Sequence, residues 1–213
     1  MIRRFIQGVL FSFIIVFVPV LGNRQTLFTL QLWLMFVTGV LANLFQPSYK
    51  PFDRSAPPED RNTATQILWT CCLTQVLAIM EAVYLGYPRS FQWDVIASIS
   101  LIFMLLGLIL RTWAVWTLGK FFTWHSKVES HQKVIRSGPY RFVRHPSYTG
   151  AMLTYLFGPF FLHAWLSTLV AIVALPLAFH RRVRLEEDLL KGNLGDEYQT
   201  YCREVKKLIP WIW

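Results

Sequence analysis

Thirteen residues, Gly138-Pro139-Tyr140-Arg141-Phe142-Val143-Arg144-His145-Pro146-Ser147-Tyr148-Thr149-Gly150, gather two arginines, a histidine, two tyrosines and a serine within an otherwise apolar chain. Side chains of these types bind anionic or carboxylate-bearing ligands through hydrogen bonds and charge. The local backbone favours the same chemistry. Gly138-Pro139 reads as a turn. Pro146 pushes His145 away from helical geometry, so a helix is expected to start near Ser147, with Pro146 close to its first turn. The free backbone donors of that turn favour a negatively charged partner. A second polar cluster runs from Arg181 to Glu187. Arg182 and Glu186 are four apart, which places them on one face of a helix. At a surface such a pair is worth only about 0.3–0.5 kcal/mol and is commonplace. Here it matters because the two clusters flank a single apolar hairpin.

The elements that must position these residues are membrane helices. Of 213 residues, 54% are hydrophobic, with 9 Trp and 17 Phe. That share exceeds the usual globular one and indicates an all-α, polytopic membrane protein. Apolar spans are expected at residues 5–21, 27–45, 64–85 and within 93–118, each near the ~20 residues a bilayer crossing needs. The first could be a signal peptide, but its apolar core is long and Val-Leu-Gly makes a poor cleavage site, so a retained helix fits better. Residues 46–62, with Pro47, Pro51, Pro57 and Pro58, form a loop. Glu81 is expected near the membrane interface. Residues 148–180 are interrupted at Gly158-Pro159 and near His163. Pro159 and Pro176 argue against one continuous helix and for a short hairpin of two. The total is about six transmembrane helices. Residues 181–207 form a helical cytoplasmic tail, and 208–213 an aromatic end suited to the interface. Residues 1–118 therefore read as transmembrane helices, about four spans, and 119–213 as the catalytic region.

The net charge of +9 does not point to nucleic acid, because no basic stripe accompanies a recognisable nucleic-acid module. Arg3, Arg4, Lys50, Arg54, Arg61, the basic residues of 120–144 and the tail fall on one side of six spans. Only Arg24 and Arg89 fall on the other. This positive-inside pattern puts both termini and both polar clusters in the cytoplasm. Cys71, Cys72 and Cys202 form no C-x-x-C and no zinc spacing, so no metal is expected.

The motif G-P-Y-R-x-V-R-H-P-S-Y-x-G, a hydrophobic hairpin, and then Arg182, Glu186, Glu187, Leu190, Gly195 and Tyr198 in order resemble the isoprenylcysteine carboxyl methyltransferase family. The likeness covers roughly residues 119–210. The first 110 or so resemble the family only in being transmembrane. The resemblance implies S-adenosyl-L-methionine as methyl donor, held in a cytoplasmic pocket. No glycine-rich loop of the soluble methyltransferase type is present. The family's cofactor contacts fall on Tyr140, His145, Pro146, Ser147, Tyr148 and Glu186. Its substrate-meeting arginine falls on Arg182, which with Glu186 makes the catalytic pair. A further family stretch, H-x-L-V, corresponds to His131-Gln132-Lys133-Val134-Ile135. His131 is one residue too far from Gly138, so either His131 or Gln132 is the contact, while Lys133, Val134 and Ile135 match.

Methyl transfer from a sulfonium is an in-line displacement. A carboxylate acceptor is already ionised near pH 7, so no strong base is needed. Positioning and electrostatics suffice, with Arg182 holding the acceptor carboxylate by paired hydrogen bonds. The resemblance implies the C-terminal carboxylate of prenylated cysteine as acceptor. Alternatives are another lipophilic acceptor (an amino-phospholipid or a terpenoid acid), a sterol-reductase-like enzyme, or a scaffold with a degenerate site. A lipid-modified acceptor would reach the site sideways from the membrane lipids, past Phe121, Phe122 and Trp124. The membrane would be that of the endoplasmic reticulum in a eukaryote and the plasma membrane in a prokaryote. Nothing in the sequence sets the oligomeric state.

Overall fold

The computed structural model describes residues 2–45, 57–124 and 133–209. Pro47, Lys50, Pro51, Arg54, His131, Gln132 and the terminal Pro210-Trp211-Ile212-Trp213 lie outside the described residues. Six α-helices are present among those described: α1 (Ile2–Phe17), α2 (Leu30–Phe45), α3 (Thr63–Met80), α4 (Val95–Leu118), α5 (Pro146–Phe161) and α6 (Trp165–Glu204). The only β pairing among them is a parallel bridge between Val143 and Lys206. The chain is therefore all-α, with helices where the apolar runs stand. Three segments, Thr63–Leu85, Val95–Phe121 and Trp165–Glu204, are long and apolar enough to cross a membrane by length and composition. α1, α2 and α5 have 16 residues each, short of the ~20 for an untilted crossing.

Local chemistry explains the helix ends. Asp94 caps α4, its Oδ1 accepting from Ala97 N at 2.8 Å. α5 begins at Pro146 with His145 non-helical in front of it, one residue earlier than the sequence suggested. α6 is capped from outside its own chain segment. Glu81 accepts from Leu166 N at 3.0 Å, and from Ser167 N and Ser167 Oγ at 2.7 Å each. A carboxylate at a helix N-terminus satisfies donors that otherwise lack partners. Glu81 thus ties the π turn after α3 to the start of α6.

One expectation needs correcting. The hairpin exists, with its break at Leu162–Ala164, but its second arm is not short. α6 runs through Pro176 and continues into the polar tail, deviating from helix only at Gly195 (φ 54°). Proline removes one helical donor, yet where no water competes for backbone groups the flanking turns hold the helix together.

Helices consecutive in the chain run antiparallel. At one end Tyr84 donates to Pro19 O (2.9 Å) and Gln31 to Phe91 O (2.7 Å), while His163 lies 3.1 Å from Asp94. Both polar clusters are at the other end. The most extensive helix contact is α4 against α5. It needs small residues: a Cβ on Gly150 would stand 2.5 Å from Gly107 O and 2.6 Å from Arg111 N. Such close backbone approach is typical of helices packed in lipid. Phe161, Phe179, Leu32, Ile79 and Leu175 are fully buried, whereas Ile109, Trp116, Leu166, Leu169, Val173 and Leu177 are exposed. An apolar outer face of this extent suits a hydrocarbon surrounding.

Candidate active site

The site is assembled from the start of α3, the end of α4, the start of α5, the second half of α6 and two short turns. A 3-10 turn after α4 (Gly119–Phe121) presents Phe121 and Phe122. A second turn (Gly138–Arg141) presents Tyr140. Gly138 has φ 57°, the left-handed region, and a Cβ there would also meet Thr117 Oγ1 at 2.9 Å. That explains the glycine before Pro139. The chain then passes over residues 205–208. Arg144 N donates to Lys206 O at 2.8 Å and His145 N to Lys207 O at 3.0 Å. Thr149 Oγ1 donates to Leu208 O at 2.8 Å. These bonds fix the start of α5. Its first turn is less open than the sequence implied, because Tyr148 N and Thr149 N both close onto the His145 carbonyl.

Two ion clusters follow on α6. In the first, buried Glu187 Oε1 accepts from Arg144 Nη2 (2.7 Å) and Nε (2.9 Å) and lies 3.3 Å from His145 Nε2. Lys207 Nζ stands 3.4 Å from Oε2. Burial opposes the Glu187 charge, but hydrogen bonds from His145 and Arg144 outweigh it and hold the carboxyl at about 2. The carboxylate is therefore an acceptor, so His145 Nε2 carries a proton. Arg144 Nη1 also donates to Cys202 O and Val205 O, which draws the end of α6 beneath the site.

In the second cluster Arg182 is buried and nearly saturated. Its Nε donates to Tyr148 Oη at 3.0 Å. Nη1 donates to Asp60 Oδ1 and, at 2.8 Å, to Thr63 Oγ1. Nη2 donates to Trp124 O at 2.7 Å. A guanidinium has five N–H groups, so among the described residues one Nη2 hydrogen is left for a ligand. The paired grip suggested by the sequence is thus reduced to a single donor. Tyr148 Oη in turn donates to Glu186 Oε2, and Glu186 Oε2 lies 3.7 Å from Arg182 Nε.

Above these clusters opens a cleft of about 860 Å³ out to its mouth. It brings together Lys133, Val134, Ile135, Tyr140, His145, Ser147, Tyr148, Arg182 and Glu186. These come from three separated stretches of sequence. Pro146 does not line it and acts as the first residue of α5. Phe121 and Phe122 line the cleft, whereas Trp124 lines a second, mainly apolar cavity among α1 to α5. The two spaces share walls. Arg111 lines the apolar cavity and donates from Nη1 to Ser147 O and Oγ, both at 3.1 Å, while Ser147 lines the cleft.

The cleft fits a charged, partly aromatic ligand. Tyr140 Oη is buried there without a hydrogen-bond partner among the described residues, an arrangement that calls for a ligand atom. Burial pushes the Tyr140 hydroxyl pKa up, so it stays protonated. Glu186 offers a carboxylate, and Leu189, Leu190 and Leu194 an apolar wall.

Three residues escaped the sequence reading. Arg111 had a usable signal: an arginine inside an apolar span is a functional candidate by default. Glu187 was quoted in the motif, but its pairing with Arg144 and His145 has no local spacing. Asp60 sits in a proline-rich connection, where nothing marks it.

A family model described as isoprenylcysteine carboxyl methyltransferase matches residues 100–192. A protein-S-isoprenylcysteine O-methyltransferase B of Arabidopsis thaliana is 31% identical over 136 residues, covering 63% of this chain and 68% of the relative. A probable protein-S-isoprenylcysteine O-methyltransferase of Oryza sativa subsp. indica is 30% identical over 128 residues, covering 59% and 67%. The Schizosaccharomyces pombe protein-S-isoprenylcysteine O-methyltransferase is 33% identical over 126 residues, covering 58% and 53%.

Proposed function

The chain belongs to the isoprenylcysteine carboxyl methyltransferase family, and from that premise we propose that it methylates the C-terminal carboxylate of prenylated cysteine, with S-adenosyl-L-methionine as donor. When bound, the donor supplies an activated methyl group on a sulfonium. Tyr140, Tyr148 and Glu186 bind its polar and cationic groups, Ser147, Lys133, Val134 and Ile135 complete the contact, and the leucines of α6 meet its flat base. His145, fixed by Glu187, stacks on Tyr148 with the rings 5.6 Å apart and 12° from parallel, and so orients it.

The acceptor arrives from the apolar side. Its carboxylate meets the remaining Arg182 donor and the field of Arg111, and its lipid stays among the helices. Both cations lower the free energy of a carboxylate drawn out of water. The acceptor is ionised already, so holding it in line with the methyl group is the main task. The observation that carries this reading is the shared wall: Arg111 and Ser147 join a polar cleft to an apolar cavity. We place the cleft on the cytoplasmic side of a multi-pass membrane protein, with tilted α1, α2 and α5 completing six spans.

The test is methyl transfer from labelled S-adenosylmethionine to a farnesylcysteine analogue, beside a phospholipid and a terpenoid acid. Labelling of the farnesylcysteine carboxylate is expected. Labelling of the phospholipid alone overturns the acceptor, and failure to bind the donor at all overturns the reaction.

A further inference from the structure

Asp60 comes from the connection before α3, outside the stretch that matches the family, yet it reaches the centre of the site. It ends a 3-10 turn at Pro58–Asp60, and Arg61 and Asn62 then take left-handed φ angles of 46° and 59° to swing the chain into α3. That bend buries Asp60 to 1% exposure. Its Oδ1 accepts from Arg182 Nη1, and its Oδ2 accepts from Ala64 N at 3.3 Å. Thr63 Oγ1 donates to Asp60 O at 2.9 Å while accepting from the same Nη1 at 2.8 Å. The neighbouring Arg181 is held by the same bend, through Arg61 O at 2.9 Å and Gln66 Oε1.

A long arginine side chain has many rotamers, and its Nε can aim at Tyr148 only if the far end is fixed. Asp60 and Thr63 fix it. The chain of bonds then runs Asp60, Arg182, Tyr148, Glu186, and only the last two present ligand-binding atoms on the donor side. Asp60 also matches the Arg182 charge, which leaves the Glu186 carboxylate less tightly drawn to the arginine and available to a cationic ligand. We propose that Asp60 is a positioning residue for methyl-donor binding, acting through Arg182 on the Tyr148 hydroxyl. This rests on the donor reading above.

The test uses the full chain in lipid nanodiscs and calorimetric binding of S-adenosylhomocysteine. Asp60→Asn is expected to weaken binding about tenfold, within the coupling range for residues in one network. In a Tyr148→Phe background the same substitution should add less than about twofold, since the hydroxyl it acts through is gone. Equal affinity of Asp60→Asn and the unaltered chain overturns the proposal. So does an undiminished loss in the Tyr148→Phe background, which a purely structural Asp60 would give. If Asp60→Asn does not fold, Asp60→Glu keeps the charge and is measured in the same two backgrounds. A loss confined to the chain with Tyr148 supports the proposal, and no loss or an equal loss in both overturns it. Absence of binding by the unaltered chain overturns the donor reading itself, and this proposal with it.

Discussion

Glu186 and Glu187 are consecutive on α6, yet the first side chain is 30% exposed in the cleft and the second 3% exposed beneath it. Successive helix positions point about 100° apart, so one turn can serve two compartments. Around Glu187 the charges close: Arg144, Lys207 and the proton on His145 Nε2 meet its two oxygens. Around Arg182 they do not close. Glu186 stays partly open, one donor is spare, and the Tyr140 hydroxyl nearby lacks a partner. The contrast separates a knot that holds the polypeptide from one that holds a ligand.

Arg182→Ala tests the open cluster hardest. It removes a counter-charge from buried Asp60, which should cost about 3–5 kcal/mol of stability. Methyl transfer per folded molecule should fall by about 100-fold or more. Thermal unfolding and labelled-methyl assays on the same sample separate the two effects, and retained transfer would erase the distinction. Glu187→Gln tests the closed cluster. A stability loss of about 3 kcal/mol is expected, with donor affinity of the folded fraction kept within about threefold. A tenfold weakening would show that the closed cluster also governs the donor, through His145 and Tyr148.

Acid probes the same carboxylate without mutation. Its folded pKa, about 2, lies below the ordinary 4.5. The stability it contributes is therefore complete above pH 4.5 and disappears as the pH drops toward 2, about 3 kcal/mol in all. Unfolding temperatures across this range should slope downward, and Glu187→Gln should flatten the slope. Tyr148→Phe removes the hydroxyl between Arg182 and Glu186. Donor affinity should fall about tenfold, with a stability cost of about 1–3 kcal/mol because buried Arg182 Nε loses its acceptor, and unchanged calorimetric binding would detach Tyr148 from the ligand. Tyr140→Phe is the mildest change. Stability should stay level, because the hydroxyl has no protein partner, while donor affinity drops about fivefold. A marked loss of stability instead would make Tyr140 part of the closed cluster.

Much of this was legible where the signal is local. The turn at Gly138, the break at His145 and the α6 face carrying Arg182 and Glu186 all follow from backbone preferences over a few residues. Pro176 misled because its cost is judged against water, which competes for backbone groups only outside the bilayer. Asp60 was illegible for another reason. Arg182, with which it pairs, is 122 positions away, and a long-range ion pair leaves no periodic trace in either segment. Arg111 was legible in principle, since a charge amid the apolar residues of α4 has to be compensated somewhere.

The bend at Asp60 also bears on modularity. Residues 100–192 carry most of the cleft, and on that ground they look like a cassette that evolution or an engineer could seat beneath any set of membrane helices. Moved alone, such a cassette would bring a buried arginine and leave its nearest counter-charge behind. The transplantable unit includes the few residues leading into α3.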